Sequence, residues 1–105
     1  IMLLPEHKFL VDKVGPTERT QDGKHEFQTI VLIKPGYTNE FGEKVGIDDE
    51  YECRAWNKTL VEMPVIKHGD KVNVVLNLQG RKWIDKDKGD VYYRTELMIR
   101  KLSLI

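Results

Sequence analysis

The sequence predicts an all-β chain, a small barrel of five strands with one short helix between the third and the fourth. Three observations carry this reading. From Lys71 to Ile84 the even positions Val72, Val74, Leu76, Leu78 and Ile84 are apolar, whereas Lys71, Asn73, Asn77, Gln79 and Arg81 are polar. That period of two belongs to a strand with one buried face. The run Asp85-Lys86-Asp87-Lys88-Gly89-Asp90 has turn chemistry, and the segment Val91 to Leu102 returns with apolar residues that can face those of the first arm. The only helix signal lies between Trp56 and Pro64, with Asn57 as a candidate N-cap and the proline as a stop.

Taken in order, Lys8 to Val14 reads as the first strand, with Phe9 and Val11 on one side, and Gly15 to Gly23 as a loop. Glu26 to Lys34 is the second strand. Its end is apolar on both faces (Ile30, Val31, Leu32, Ile33), as in a central strand or an oligomer contact. Pro35 to Gly42 is a long excursion with Tyr37 and Phe41 in polar company. Glu50 to Trp56 is the third strand, with Tyr51, Cys53 and Ala55 inward and Glu52, Arg54 and Trp56 outward. A short helix follows through Met63, and His68-Gly69-Asp70 turns into the fourth strand. The order β-β-β-α-β-β is that of the OB-fold, a five-stranded Greek-key barrel. An SH3-like barrel also has five short strands, but the helix position favours the OB arrangement. A chain of 105 residues forms one such domain, residues 1–105, and is long enough for a core without disulfides or metal.

Composition excludes more than it assigns. Seventeen basic and seventeen acidic residues cancel, so no global positive charge announces nucleic acid. The distribution is uneven. Glu40 to Glu52 holds six acids (Glu40, Glu43, Asp48, Asp49, Glu50, Glu52) against Lys44. Gly80 to Lys101 holds seven bases (Arg81, Lys82, Lys86, Lys88, Arg94, Arg100, Lys101) against four acids. Cys53 is the only cysteine, so no internal disulfide forms, which suits a reducing cytoplasm. No apolar run approaches the roughly 20 residues of a membrane span, and Ile1-Met2-Leu3-Leu4 is too short for a signal peptide's apolar region.

The hairpin carries the strongest chemical signal. With Asp85 facing Asp90 and no bulge, Trp83 faces Tyr92, Arg81 faces Arg94, Gln79 faces Glu96 and Asn77 faces Met98 on one side. The other side pairs Ile84 with Val91, Lys82 with Tyr93, Leu78 with Leu97 and Leu76 with Ile99. By this parity Tyr93 belongs to the core and Tyr92 is exposed. A tryptophan in a polar stripe suits base stacking. Two arginines directly opposed are destabilising on a bare sheet and suit a bound phosphate.

Several stretches resemble the bacterial single-stranded DNA-binding protein family. They are Lys67-His68-Gly69-Asp70-Lys71-Val72, Leu78-Gln79-Gly80-Arg81-Lys82-Trp83-Ile84-Asp85 and Tyr93-Arg94-Thr95-Glu96-Leu97. Cys53-Arg54-Ala55-Trp56-Asn57-Lys58 is similar to the end of that family's third strand, and Gly23 to Ile33 to the opening of its second. The likeness spans about 80 residues. It implies a sequence-tolerant binder of single-stranded DNA in replication, repair or recombination, with stacking aromatics at Trp56 and Trp83. The chain departs from the pattern at Phe9 to Gly15 and at Glu50, where the family often has tryptophan. It also ends at Ile105 without a flexible acidic tail, which suggests a shortened relative such as a primosomal or mobile-element protein.

The candidate interface is therefore Trp56, Trp83 and Tyr92 for bases, with Arg54, Arg81, Lys82, Lys86, Lys88 and Arg94 for phosphates. The bland alternatives are a barrel-rim aromatic for Trp83 and packing on the following helix for Trp56. His7, His25 and His68 are dispersed and read as surface residues, with no metal or other cofactor expected. Asp48-Asp49-Glu50 reads as a solvated loop, and nothing points to an enzyme. The expected partner is single-stranded DNA, with RNA open because stacking does not read the sugar. A homo-oligomer (dimer or tetramer), contacts with replication proteins and no membrane association complete the expectation. The competing reading is a non-catalytic OB-fold adaptor that docks proteins through its acidic 40–52 segment.

Overall fold

A computed structural model describes all 105 residues. The elements are β1 (Met2–Leu3), β2 (His7–Arg19), β3 (Glu26–Lys34), β4 (Asp49–Trp56), α1 (Asn57–Glu62), β5 (Lys71–Ile84) and β6 (Val91–Leu104). Antiparallel pairs join β2 to β3, β3 to β4, β5 to β6 and β2 to β5. A short parallel pairing of β4 with β6, through Cys53–Leu97 and Arg54–Met98, closes a ring of five strands. This is the predicted OB barrel. The two-residue β1, which the sequence pattern does not reveal, adds to the free side of β5 at Leu78 and Asn77.

The core is one cluster filled from the inward positions of every barrel strand. Phe9 and Val11 come from β2, Ile30 and Leu32 from β3, Cys53 and Ala55 from β4, Val72, Val74 and Leu76 from β5, Ile99 and Leu102 from β6. Ile66 plugs it from the segment after α1. β3 lies between two neighbours, which explains why Val31 and Ile33 on its outer face are also half-buried. Burial in the core pushes the Cys53 thiol up to about 12, so it stays a protonated apolar filler.

Four expectations are corrected. The first strand does not stop at Val14 but runs to Arg19. Two register shifts, between Val11 and Lys13 and between Val14 and Thr17, carry it past Gly15-Pro16. A bulge tolerates a proline because the extra residue needs no ladder N–H, and the Gln28 amide donates to the Gly15 carbonyl (2.8 Å) in compensation. Asn57 is not the N-cap. It is the first residue of α1, adopts a left-handed φ of 45°, and its side-chain oxygen accepts from the Glu26 N–H at 3.0 Å. Asparagine is among the few residues that take this conformation readily. The helix is also one residue shorter than expected, ending at Glu62 before Met63 and Pro64.

The fourth correction concerns shape. The molecule measures 57 × 32 × 22 Å, because the β5–β6 hairpin outruns the barrel. Beyond Leu78 and Leu97 the six rungs from Gln79–Glu96 to Ile84–Val91 have no third strand. At ~3.3 Å per residue they form a ribbon about 20 Å long. Ile84, Val91 and Tyr93 have the parity of the core, yet all three are exposed, Tyr93 at 77%. Parity is right and burial is not, because no barrel lies beneath them.

Candidate nucleic-acid interface

The register of the hairpin is the unbulged one that places like with like. Trp83 pairs with Tyr92, Arg81 with Arg94, Gln79 with Glu96, and the arms stay in step down to Leu76–Ile99. The tip closes as the turn chemistry requires. The Asp85 N–H donates to the Asp90 carbonyl and the Gly89 N–H to that of Asp85. The Asp85 carboxylate accepts from the N–H groups of Asp87 and Lys88, which fixes the loop while leaving the Lys86 and Lys88 side chains in solvent. Gly89 takes φ +72°, a conformation that favours glycine.

Val72, Val74 and Leu76 face the barrel interior, so the odd positions of β5 continue the barrel's outer surface along the ribbon. Trp83 and Tyr92 stand opposite each other there, 48% and 51% exposed. Below them the opposed guanidiniums are each restrained along their own strand. Arg94 Nε pairs with Glu96 at 3.1 Å. Arg81 donates to the Gln79 amide oxygen, from Nη2 at 2.9 Å and Nε at 3.3 Å, in the amide orientation that satisfies both groups. The opposition of two arginines therefore has a local answer within the protein. Lys82 lies on the other side of the ribbon, opposite Tyr93, and is exposed.

A second group sits at the far end of the β3–β4 face. Trp56 packs on Phe27, its neighbour across the ladder, with ring centroids 4.7 Å apart and planes tilted by 32°. The Arg54 guanidinium lies over the same Phe27 ring at 4.8 Å. Cation–π and aromatic pairs of this kind contribute ~0.5–1.5 kcal/mol each and hold a platform of three side chains on the outer surface. Trp56 is half-buried, and its indole N–H is shielded from solvent and meets no acceptor. Phe27 was not among the residues singled out from the sequence. Its odd parity in β3, shared with Thr29 and Val31, is the signal that marks it as outward.

The two groups are connected by the β4–β6 seam. A shallow cleft there is lined by Glu52, Arg54, Arg94, Thr95, Glu96 and Leu97. Arg54 and Arg94 thus share one concavity, but Glu52 and Glu96 share it too. Tyr37 and Phe41 are exposed on a separate ordered excursion. There Asn39 accepts from the N–H groups of Phe41 and Glu43, and the Asp48 carboxylate accepts from Gly36 N–H and pairs with Lys44 at 2.7 Å. No three His, Cys, Asp or Glu residues come together as a metal site, and no helix is long and apolar enough to cross a membrane.

No protein-family model and no curated protein sequence matches the chain. Solved structures do. The single-stranded DNA-binding protein of Thermus aquaticus superposes over 100% of this chain and 52% of its own, with a TM-score of 0.61 at 15% identity. The Plasmodium falciparum SSB, solved in complex with single-stranded DNA, matches over 100% of this chain and 93% of its own, with a TM-score of 0.64 at 17% identity. A deletion mutant of the Thermus protein matches with a TM-score of 0.62 at 16% identity. The chain has their fold. It spans about half the length of the Thermus protein. In OB-folds generally, the face of the second and third barrel strands and the loops at its ends carry oligonucleotides. Here those strands are β3 and β4, and the Trp56–Phe27–Arg54 platform and the ribbon lie at the two ends of that face.

Proposed function

We propose that the chain is a sequence-tolerant single-stranded DNA-binding protein acting in replication, repair or recombination. The observation that carries this is the pairing of outward aromatic and basic side chains at both ends of one OB face. Trp56 and Phe27 with Arg54 stand at one end, and Trp83 and Tyr92 with Arg81 and Arg94 at the other. Continuing the β4–β6 offset, Trp56 lies eight residues from the level of Tyr92. At ~3.3 Å per residue that separates the platforms by about 26 Å, a span suited to several nucleotides and within the ~4–16 that one OB-fold covers.

Stacking supplies affinity without sequence preference, since every base has a π-face. Lys86 and Lys88 at the exposed tip of the ribbon, and Lys82 on its reverse, add phosphate attraction. The free edge of β1, with Ile1, Met2 and Leu3 exposed beside it, supports a homo-oligomer. The test is a titration of tryptophan fluorescence with oligo(dT), with oligo(U) and duplex DNA as competitors. The reading expects quenching that weakens steeply with salt. An unchanged emission at low salt overturns it.

A further inference from the structure

The free positive charge of the barrel is not where the aromatic seam runs. Arg54 is held over Phe27, Arg81 by Gln79 and Arg94 by Glu96. Between the two platforms the outward residues of β4 are Glu50 and Glu52, both exposed, with Glu96 beside them. A polyanion following that seam passes three carboxylates.

On the other side of Trp56 the situation reverses. The β5–β6 ladder carries its one register shift here: Leu76 pairs with Ile99 and Val75 with Lys101, leaving Arg100 as the extra residue. In an unbulged strand, alternation sends Arg100 and Lys101 to opposite faces. The bulge instead leaves Ile99 and Leu102 both in the core and Arg100 and Lys101 both exposed between them. Re-aiming a side chain is a recognised use of a bulge. Neither cation has an ion pair or a side-chain hydrogen bond within the protein. Both line an open cleft of about 580 Å³ between β6 and α1, together with Lys58, Thr59 and Glu62. Lys58 has only an exposed 3.8 Å pair with Glu62, so three cations face one acid. Continuing the parallel offset of Arg54–Met98 by two residues puts Arg100 level with Trp56, which lies two residues before Lys58.

From this we infer that Arg100, Lys101 and Lys58 form a phosphate-binding site, and that a nucleic acid strand stacked on Trp56 continues into the α1–β6 cleft. The inference rests on the proposed single-strand binding and adds the direction of the path and the residues that hold it.

The experiment compares the full chain with R100A/K101A and with the charge-preserving R100K/K101R, using oligo(dT) of increasing length and a series of salt concentrations. Single-strand affinity falls with salt by a slope of about 0.7 for each phosphate contact. The site predicts that R100A/K101A lowers the slope by about 1.4 on long oligonucleotides and leaves quenching by the shortest binding oligonucleotide within twofold. R100K/K101R keeps the full slope. A slope and affinity unchanged in R100A/K101A, with the unaltered chain binding normally, overturn the cleft site and leave the proposed function standing. Equal losses in R100A/K101A and R100K/K101R mark a disturbed bulge rather than lost charge, and also overturn it. No binding by the unaltered chain overturns both readings.

Discussion

Trp83→Ala separates recognition from folding. Trp83 sits on the two-stranded part of the hairpin, beyond the last residues that pack on the core, Leu76 on β5 and Leu97 on β6. Its contribution to stability is limited to the pair with Tyr92, and such cross-strand pairs contribute ~0.2–1 kcal/mol. Its contribution to binding, as a half-exposed ring free to stack, is ~1–3 kcal/mol per base. At ~1.4 kcal/mol per tenfold, that is a rise in Kd of roughly 5- to 150-fold. Binding therefore falls more than folding. No charge is removed, so the salt slope is unchanged. Oligo(dT) affinity by anisotropy across salt concentrations, paired with thermal unfolding, reads all three quantities. A Kd within twofold of the parent, with the parent binding, refutes stacking on the ribbon. It also favours the adaptor reading, in which Trp83 is irrelevant to DNA.

Four further outcomes follow from the geometry. Lys86→Ala with Lys88→Ala lowers the salt slope by about 1.4 if each lysine meets one phosphate, read in the same titrations; an unchanged slope removes the tip from the interface. Trp56→Phe keeps a ring on Phe27 while deleting an indole N–H without an acceptor. Since a buried unpaired donor costs ~1–3 kcal/mol, denaturant unfolding finds this variant no more than about 1 kcal/mol less stable, and a larger loss means that the N–H has a partner. Gly36→Ala drives a Cβ into the Gly46 backbone. It costs ~1–3 kcal/mol by overpacking, with amide exchange accelerating across residues 36–48. Finally, the hydrogen bond from Lys44, then the Gly36 N–H, hold the Asp48 carboxyl below its usual range. A lowered folded value means its contribution is present above the ordinary carboxylate range and is lost as pH falls through the depressed value. The Gly36 amide resonance should stay constant through the ordinary range and move only below it; a midpoint at the ordinary value contradicts the contact.

What the sequence revealed was what alternation can encode. The bounds of β3, Glu26–Lys34, and every rung from Ile84–Val91 down to Leu76–Ile99 follow from period-two patterning and one turn. The patterning could not say where the barrel stops. Tyr93 has core parity and still lies in solvent, because burial depends on a third strand that Leu97 has and Tyr93 lacks. Local turn chemistry misled at Gly15-Pro16, where bulges let β2 continue, and at Asn57, whose side chain ties β3 to the helix start instead of capping it. The candidate site was legible as residue types but not as partnerships. Trp56 and Arg54 were visible, whereas the Phe27 ring that organises them is 29 residues from Trp56 and appears only through the β3–β4 register.

The central claim is that single-stranded DNA lies on the outer face bearing Trp56, Trp83 and Tyr92. Photo-crosslinking the full chain to a bromodeoxyuridine-substituted oligonucleotide, with the adducts located by mass spectrometry, tests it most directly. Adducts at Trp83 or Tyr92 and at Trp56 or Phe27 are the predicted result. Adducts confined to Tyr37, Phe41 or Tyr51, on a bound and crosslinked complex, contradict it.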